Sequence, residues 1–232
     1  MQLARIAELL APFLTNAGSR QLTTSDLEHI STYIDILLRW NARINLTSIR
    51  DPEAIVTRHF GESFFTAGHL FPVRSAVPPV SSVGKVFHVA DVGSGAGFPG
   101  IPIKLWQPHL SLTLIEANHK KAAFLREIVR ALTLTDVNVQ TGRAESLDPA
   151  AFEIVTLRAV ERFESILPVA ARLVAPGGRL ALLISSSQVA SAESFLVPGF
   201  HPHWPPPLPV PLSRSRVLAL ASRLSDPSQA IP

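Results

Sequence analysis

The sequence predicts an α/β fold: a doubly wound parallel sheet with helices on both faces, preceded by an N-terminal helical extension. Three observations carry that prediction. Residues 1 to about 70 read as helical, with apolar side chains recurring at helical spacing. From Lys85 onward, short apolar runs alternate with helix-period segments. The first of those runs ends in an acid and a glycine-rich loop, Asp91-Val92-Gly93-Ser94-Gly95-Ala96-Gly97-Phe98-Pro99-Gly100. Alternating strand and helix patterns are what a sheet covered on both faces requires.

Taken in order, Leu3, Ile6, Ala7, Leu10 and Leu14 recur at helical spacing and predict a first helix. Thr23-Thr24-Ser25-Asp26 offers capping side chains ahead of a second, Leu27 to Trp40, with Ile30, Ile34, Leu37 and Leu38 as its stripe. Asp51-Pro52-Glu53 opens a third that reaches about Thr66, since proline suits the first turn of a helix. Phe71 to Gly84 carries three prolines, several serines and no period, so it reads as a linker (71–84) between the extension (1–70) and a cofactor domain (85–232). In that domain strands are predicted at 86–92, 111–115, 137–140, 154–157, 180–184 and 217–221, with helices at 100–107, 119–132 and 164–173. The prolines between Pro202 and Pro211 forbid a central strand and predict an extended connection.

Composition narrows the function classes. With 232 residues, 47% hydrophobic and 17% charged, the chain can bury a sizeable core and is not of the disordered type. No apolar run approaches the roughly 18 residues that span a bilayer. Met1 to Leu14 has Arg5 as its one positive side chain and is interrupted by Glu8, a poor signal peptide, so a soluble cytoplasmic monomer is expected. The absence of cysteine excludes disulfides and thiolate metal sites; the eight histidines show no paired ligand spacing on one helix, and His201 and His203 sit in a proline-rich stretch, so no metal is expected. A net charge of +3 is too small to mark a nucleic-acid binder by its bulk field. Residues 1 to 75 hold seven basic and seven acidic side chains, so any RNA contact must come from local clusters. One is Arg39, Arg43, Arg50 and Arg58, opposed there by Asp51 and Glu53; solvated helix faces are the alternative.

The glycine loop points to a cofactor. Glycines at alternate positions let the chain turn sharply while its backbone closes on a ligand. A dinucleotide fingerprint, G-x-G-x-x-G, needs its last glycine at position 98, which is Phe98. That weakens a pyrophosphate site and, with it, a nicotinamide-dependent oxidoreductase. The string instead resembles the D-x-G-x-G-x-G motif of the Rossmann-like class I S-adenosylmethionine methyltransferases. Twenty-five residues after Asp91, the run Leu110 to Ile115 ends in Glu116, placed to accept from both ribose hydroxyls. Ligands of open α/β sheets lie beyond the carboxyl ends of the strands, at the switch in strand order. That rule gathers Gly93 to Gly100, Glu116, Gly142 to Glu145 and Arg158 around one crevice.

A longer set of residues resembles a particular family. Trp40-Asn41, Asn45-Leu46-Thr47-Ser48-Ile49-Arg50-Asp51-Pro52, Arg58-His59, the loop through Ile101-Pro102, Lys120-Lys121, Phe124-Leu125, Gly142-Arg143-Ala144-Glu145 and Leu157-Arg158-Ala159 are similar to the bacterial small-subunit ribosomal RNA guanine-N7 methyltransferases, the RsmG or GidB family. The N-L-T-S-x-R-D-P string is the most specific part, because a generic methyltransferase has no reason to carry it. The resemblance implies 16S ribosomal RNA or the small subunit as partner and S-adenosyl-L-methionine as cofactor. It implies a pocket at Gly93, Phe98, Ala144, Glu145 and Arg158, with the ribose acid at Glu116 and the Gly93, Gly95 and Gly97 backbone around the methionine portion. Departures are Glu62 where the family commonly has aspartate, Leu183-Ile184-Ser185 in place of Leu-Lys-Gly, and prolines before the last strand. The missing lysine keeps open an RNA-binding assembly factor on the same fold.

Guanine N7 has a lone pair and no proton to remove, so no catalytic base is expected. Ala144 and Glu145 are expected at the adenine edge. Arg158 could pair with the cofactor carboxylate, an RNA phosphate, or Glu161 or Glu164. Lys120, Lys121, Arg143 and Arg216 are candidate RNA contacts, and His59 beside Arg58 is either another or a buried ring.

Overall fold

The computed structural model describes residues 1–14, 21–72, 86–158, 163–195, 197 and 200–225. The predicted linker lies outside the described residues except for Phe71 and Pro72, as do Ala159 and Glu161.

Helix α1 spans Leu3–Leu14 and buries Ile6, Leu10 and Phe13. Helix α2, Thr24–Asn41, starts at a capping box in which the Thr23 side chain accepts from the Asp26 N–H and Asp26 accepts from the Thr23 N–H. The third predicted helix is longer and less regular than its pattern suggested. Asp51 caps the short α3, Pro52–Ile55, a π-helical stretch follows over Val56–Gly61, and α4 runs Glu62–Leu70. It continues past Thr66 because Ala67 and Leu70 extend the buried stripe of Phe64 and Phe65.

Strands β1 (His88–Val92), β2 (Ser111–Glu116), β3 (Val137–Thr141) and β4 (Phe152–Arg158) alternate with α5 (Gly100–Trp106) and α6 (His119–Ala131). Helix α7 (Phe163–Leu173) leads to β5 (Val174–Ser185), and α8 (Val189–Ser194) to the short β6 (Pro202–His203), β7 (Leu208–Pro209) and the final β8 (Arg216–Arg223). The sheet order is β3-β2-β1-β4-β5-β8-β6. Pairings from β3 to β5 are parallel, whereas β8 runs antiparallel to β5, so the sheet is mixed at one edge. The proline run is more than a connection: Pro202 pairs opposite Arg223 and Pro209 opposite Val217, in stretches of two residues, as a residue without an N–H allows at an edge.

Strand residues alternate between two apolar layers. Val89, Ile154, Ala181 and Leu183 face the helices α1, α2, α4, α5 and α6, while Ala90, Val92, Val155, Leu157 and Leu182 face α7 and α8. The leading helices therefore share one core with the sheet rather than forming a separate one. Strand order reverses between β1, which leads outward to β2 and β3, and β4, which leads to β5. The carboxyl ends of β1 and β4 define the switch point. Among the described residues, no helix is long and apolar enough to cross a membrane.

Candidate cofactor and RNA site

A cleft of about 740 Å³ opens at those strand ends. Its floor is the loop after β1, where Gly93, Gly95 and Gly97 have φ of 68°, 55° and 83°, backbone that favours glycine. The N–H groups of Gly93 and Ser94 both donate to the Ile115 carbonyl, at 2.9 and 3.0 Å, tying the loop to β2. Beneath it, Asp91 is buried. One carboxylate oxygen accepts from the Thr156 hydroxyl at 2.7 Å and the other from the Gly100 N–H at 3.3 Å. Burial raises its pKa to about 6, opposed by those hydrogen bonds. Asp91 thus anchors the loop and does not line the cleft.

Glu116, at the end of β2, does line it. Its two oxygens accept from the Gly95 N–H and the Asn118 N–H, both at 2.8 Å. Each oxygen keeps a lone pair, which is what recognition of a ribose diol needs. Gly142 leaves open space where a side chain would stand, and Ala144 and Glu145 continue that wall. These features fit the nucleoside part of S-adenosylmethionine.

The opposite wall comes from the leading helices. The Phe98 ring stacks on Tyr33 at 5.2 Å and on His59 at 4.8 Å, and meets Phe60 edge-on at 5.1 Å. The Tyr33 hydroxyl donates to the Ala96 carbonyl at 2.6 Å. Asn41 shapes the Asn45–Ser48 segment: its Oδ1 accepts from the Leu46 and Thr47 N–H groups and its Nδ2 donates to the Thr47 carbonyl. Leu46, Thr47, Ser48 and Ile49 consequently face the cleft as a wall of fixed shape.

At the mouth of β4, a carboxylate collects three guanidiniums. Glu62 is 1% exposed. Arg58 Nε lies 3.2 Å from it, Arg158 Nη2 3.0 Å and Arg216 Nη2 3.6 Å. Among the described residues, three cations against one anion leave this corner positive. Burial lowers the Arg158 pKa, with Glu62 opposing the shift. Its Nη2 also donates to the Arg58 carbonyl at 2.5 Å, an oxygen presented by the π-helical stretch, and approaches His59 Nδ1 at 3.0 Å. Among the described residues, Arg158 Nε and Arg216 Nε are buried without a hydrogen-bond partner, which suits them to an anionic group. His59 is 8% exposed, and burial with the nearby Arg158, Arg58 and Arg216 lowers its pKa to about 2. The ring is neutral.

Of the residues singled out from sequence, Gly93, Gly95, Phe98, Glu116, Ala144, Glu145 and Arg158 line this one cleft, as do Arg58, His59, Lys121, Arg143 and Arg216. Gly97 does not. It is buried where a side chain would strike the Tyr33 hydroxyl and come within 2.7 Å of Ile101, so its role is close packing under the loop. Lys120 is exposed outside the cleft, its backbone N–H capped by Asn118. His59 is a buried ring at the edge of the cleft, and protein groups meet both of its nitrogens. Arg216 turns inward, donating to the Leu183 carbonyl at 3.0 Å. Arg158 pairs with Glu62, and the Glu161 alternative lies outside the described residues. Sequence reasoning missed Glu62 and Thr47 as organisers, although both stood inside strings already noted.

A largely parallel sheet with this switch point, a glycine floor and an acid lining the cleft at the end of β2 define the class: an S-adenosylmethionine-dependent methyltransferase. Comparison with known proteins gives the family. Residues 26–194 match the GidB family model, described as rRNA small subunit methyltransferase G, and the chain belongs to that family. It is 39% identical over 177 residues to "Ribosomal RNA small subunit methyltransferase G" of Xanthomonas oryzae pv. oryzae, covering 74% of this chain and 77% of that protein. The protein of the same name from Xylella fastidiosa is 40% identical over 173 residues, covering 74% and 73%. Among solved structures, P. horikoshii TYW2 in complex with MeSAdo superposes with a TM-score of 0.51 at 12% identity, covering 67% of each chain, a likeness of fold.

Proposed function

We propose that this protein transfers the methyl group of S-adenosylmethionine to N7 of a guanine in 16S ribosomal RNA of the small subunit. The observation that carries the reading is the meeting, in one cleft, of a nucleoside-fitting half around Glu116 and a positive corner around Glu62, in a chain of the GidB family. When bound, the cofactor supplies an electrophilic methyl group. Glu116 holds the ribose, the Gly93–Gly95 backbone the methionine portion, and the Ala144–Glu145 edge the adenine. Arg158, with its spare Nε, holds either the cofactor carboxylate or an RNA phosphate. Arg58, Lys121 and Arg143, which line the cleft, meet phosphate and position the RNA.

The chemistry asks little of acid–base groups. Guanine N7 presents a lone pair, so the neutral His59 and the sequestered Asp91 have no proton to take. Alignment of the reacting groups can contribute up to roughly 7 to 11 kcal/mol. The test is transfer of labelled methyl to small subunits from a strain lacking the modification, followed by cleavage at 7-methylguanine to map the base. Incorporation at one guanine is expected; no incorporation overturns the reading.

A further inference from the structure

We propose that the Thr47 hydroxyl donates a hydrogen bond to O6 of the target guanine and thereby selects that base, an inference that rests on the guanine-N7 reading. Arg158 Nη2 can only donate, and its two protons are shared among the Arg58 carbonyl, Glu62 and His59 Nδ1, the last at 3.0 Å; a proton on Nδ1 would stand N–H to N–H against it, which favours the tautomer with Nδ1 accepting and the ring proton on Nε2. In that tautomer Nε2, 2.9 Å from Thr47 Oγ1, donates to it. The Ile49 N–H donates to the same oxygen at 3.1 Å. A hydroxyl has two lone pairs and one proton. Both lone pairs are used by the protein, and the proton has no acceptor among the described residues. Thr47 lines the cleft, and two hydrogen bonds with Asn41 fix its backbone while a third holds Leu46 beside it, so the direction of the remaining donor is set before substrate arrives.

The edge of guanine that carries N7 carries O6 beside it, both acceptors. N7 must keep its lone pair for the methyl group, which leaves O6 for the protein to read. Adenine presents an amino donor at that position and would set two donors face to face. The hydroxyl thus supports one purine and opposes the other.

The test uses the full chain and small subunits reconstituted with RNA bearing either guanine or 2-aminopurine at the mapped position; the analogue keeps N7 and lacks O6. Labelled methyl transfer is measured for the wild type, Thr47→Ser and Thr47→Val. The wild type is expected to lose roughly tenfold in kcat/KM on the analogue, the scale of one hydrogen bond. Thr47→Ser should keep that preference. Thr47→Val should lose a similar factor on guanine and no longer distinguish the two substrates. A wild type that methylates both equally overturns the assignment while leaving the methyltransferase reading intact, and so does a Thr47→Val that still discriminates. A wild type that methylates neither removes the underlying reading and the assignment together. Should Thr47→Val fail to fold, the wild-type comparison decides alone.

Discussion

The two halves of the cleft are held by different forces. Around Gly93 to Glu116 the framework is backbone: amides of the loop donate to Ile115 and to the Glu116 carboxylate, and the turn sits on apolar packing. Around Glu62 the framework is charge, with guanidiniums from Arg58, Arg158 and Arg216 drawn together by one buried carboxylate. The first half is local in sequence and rigid by conformation. The second joins residues far apart in the chain, and its geometry depends on the survival of one anion.

The largest effect should come from removing that anion. Glu62→Ala leaves buried Arg158 without its carboxylate, and breaking a buried pair in this way costs about 3–5 kcal/mol. The denaturation midpoint of the variant should fall accordingly, and methyl transfer should be lost; a midpoint within experimental error of the wild type would mean the charge framework is dispensable. Gly97→Ala tests the other half. At a φ of 83° the new methyl costs about 1–2 kcal/mol in conformation, and its collision with Tyr33 and Ile101 adds a further ~1–3 kcal/mol of overpacking. Calorimetry should show S-adenosylmethionine affinity falling with stability, although Gly97 itself does not line the cleft.

The comparison also has a pH axis, because each half buries a group whose displaced pKa lies in the acid range. Asp91 is raised from 3.8 to about 6, chiefly by burial. Folding favours its protonated form, so its contribution is complete below pH 3.8 and lost as the pH rises through about 6, a change of about 3 kcal/mol. His59 is lowered from 6.5 to about 2, so folding favours the neutral ring. Its contribution is present above pH 6.5 and lost as the pH falls toward about 2. Between about pH 4 and 6 the two slopes oppose each other and these groups should largely cancel. Asp91→Asn removes one slope, so its stability relative to the wild type should decline on acidification across that window. Denaturation midpoints at several pH values check this, and unchanged relative midpoints would contradict it.

The smallest effect separates neighbouring lysines. Lys121→Ala should raise the KM for small subunits and shallow the dependence of log affinity on log salt by about 0.7, the loss of one phosphate contact to single-stranded RNA. Lys120→Ala, outside the cleft, should do neither. Equal effects would place the RNA on the outer face of α6 instead.

The sequence made the backbone-held half readable because its determinants are contiguous: alternate glycines, Phe98 in place of a fourth glycine, and an acid closing the next apolar run. Helix α2 was equally legible, since Thr23 and Asp26 form a local cap. The charge-held half was not. Nothing near Arg158 in sequence points to Glu62, whose position is set by a π-helical stretch that no apolar period reveals. His59 remained undecided between surface and interior for the same reason, as its two ring partners, Thr47 and Arg158, lie on different elements. The mixed edge of the sheet was also hidden, because an apolar run such as Val217 to Ala221 fits either strand direction.

The rings of Phe64, Phe60, Tyr33 and Phe98, meeting tilted, edge-on and stacked in turn, pass without a break from the leading helices into the cofactor turn. Those helices serve as a keel for the turn. Grafting a foreign leading segment onto this sheet would set the turn adrift with every one of its glycines still in place.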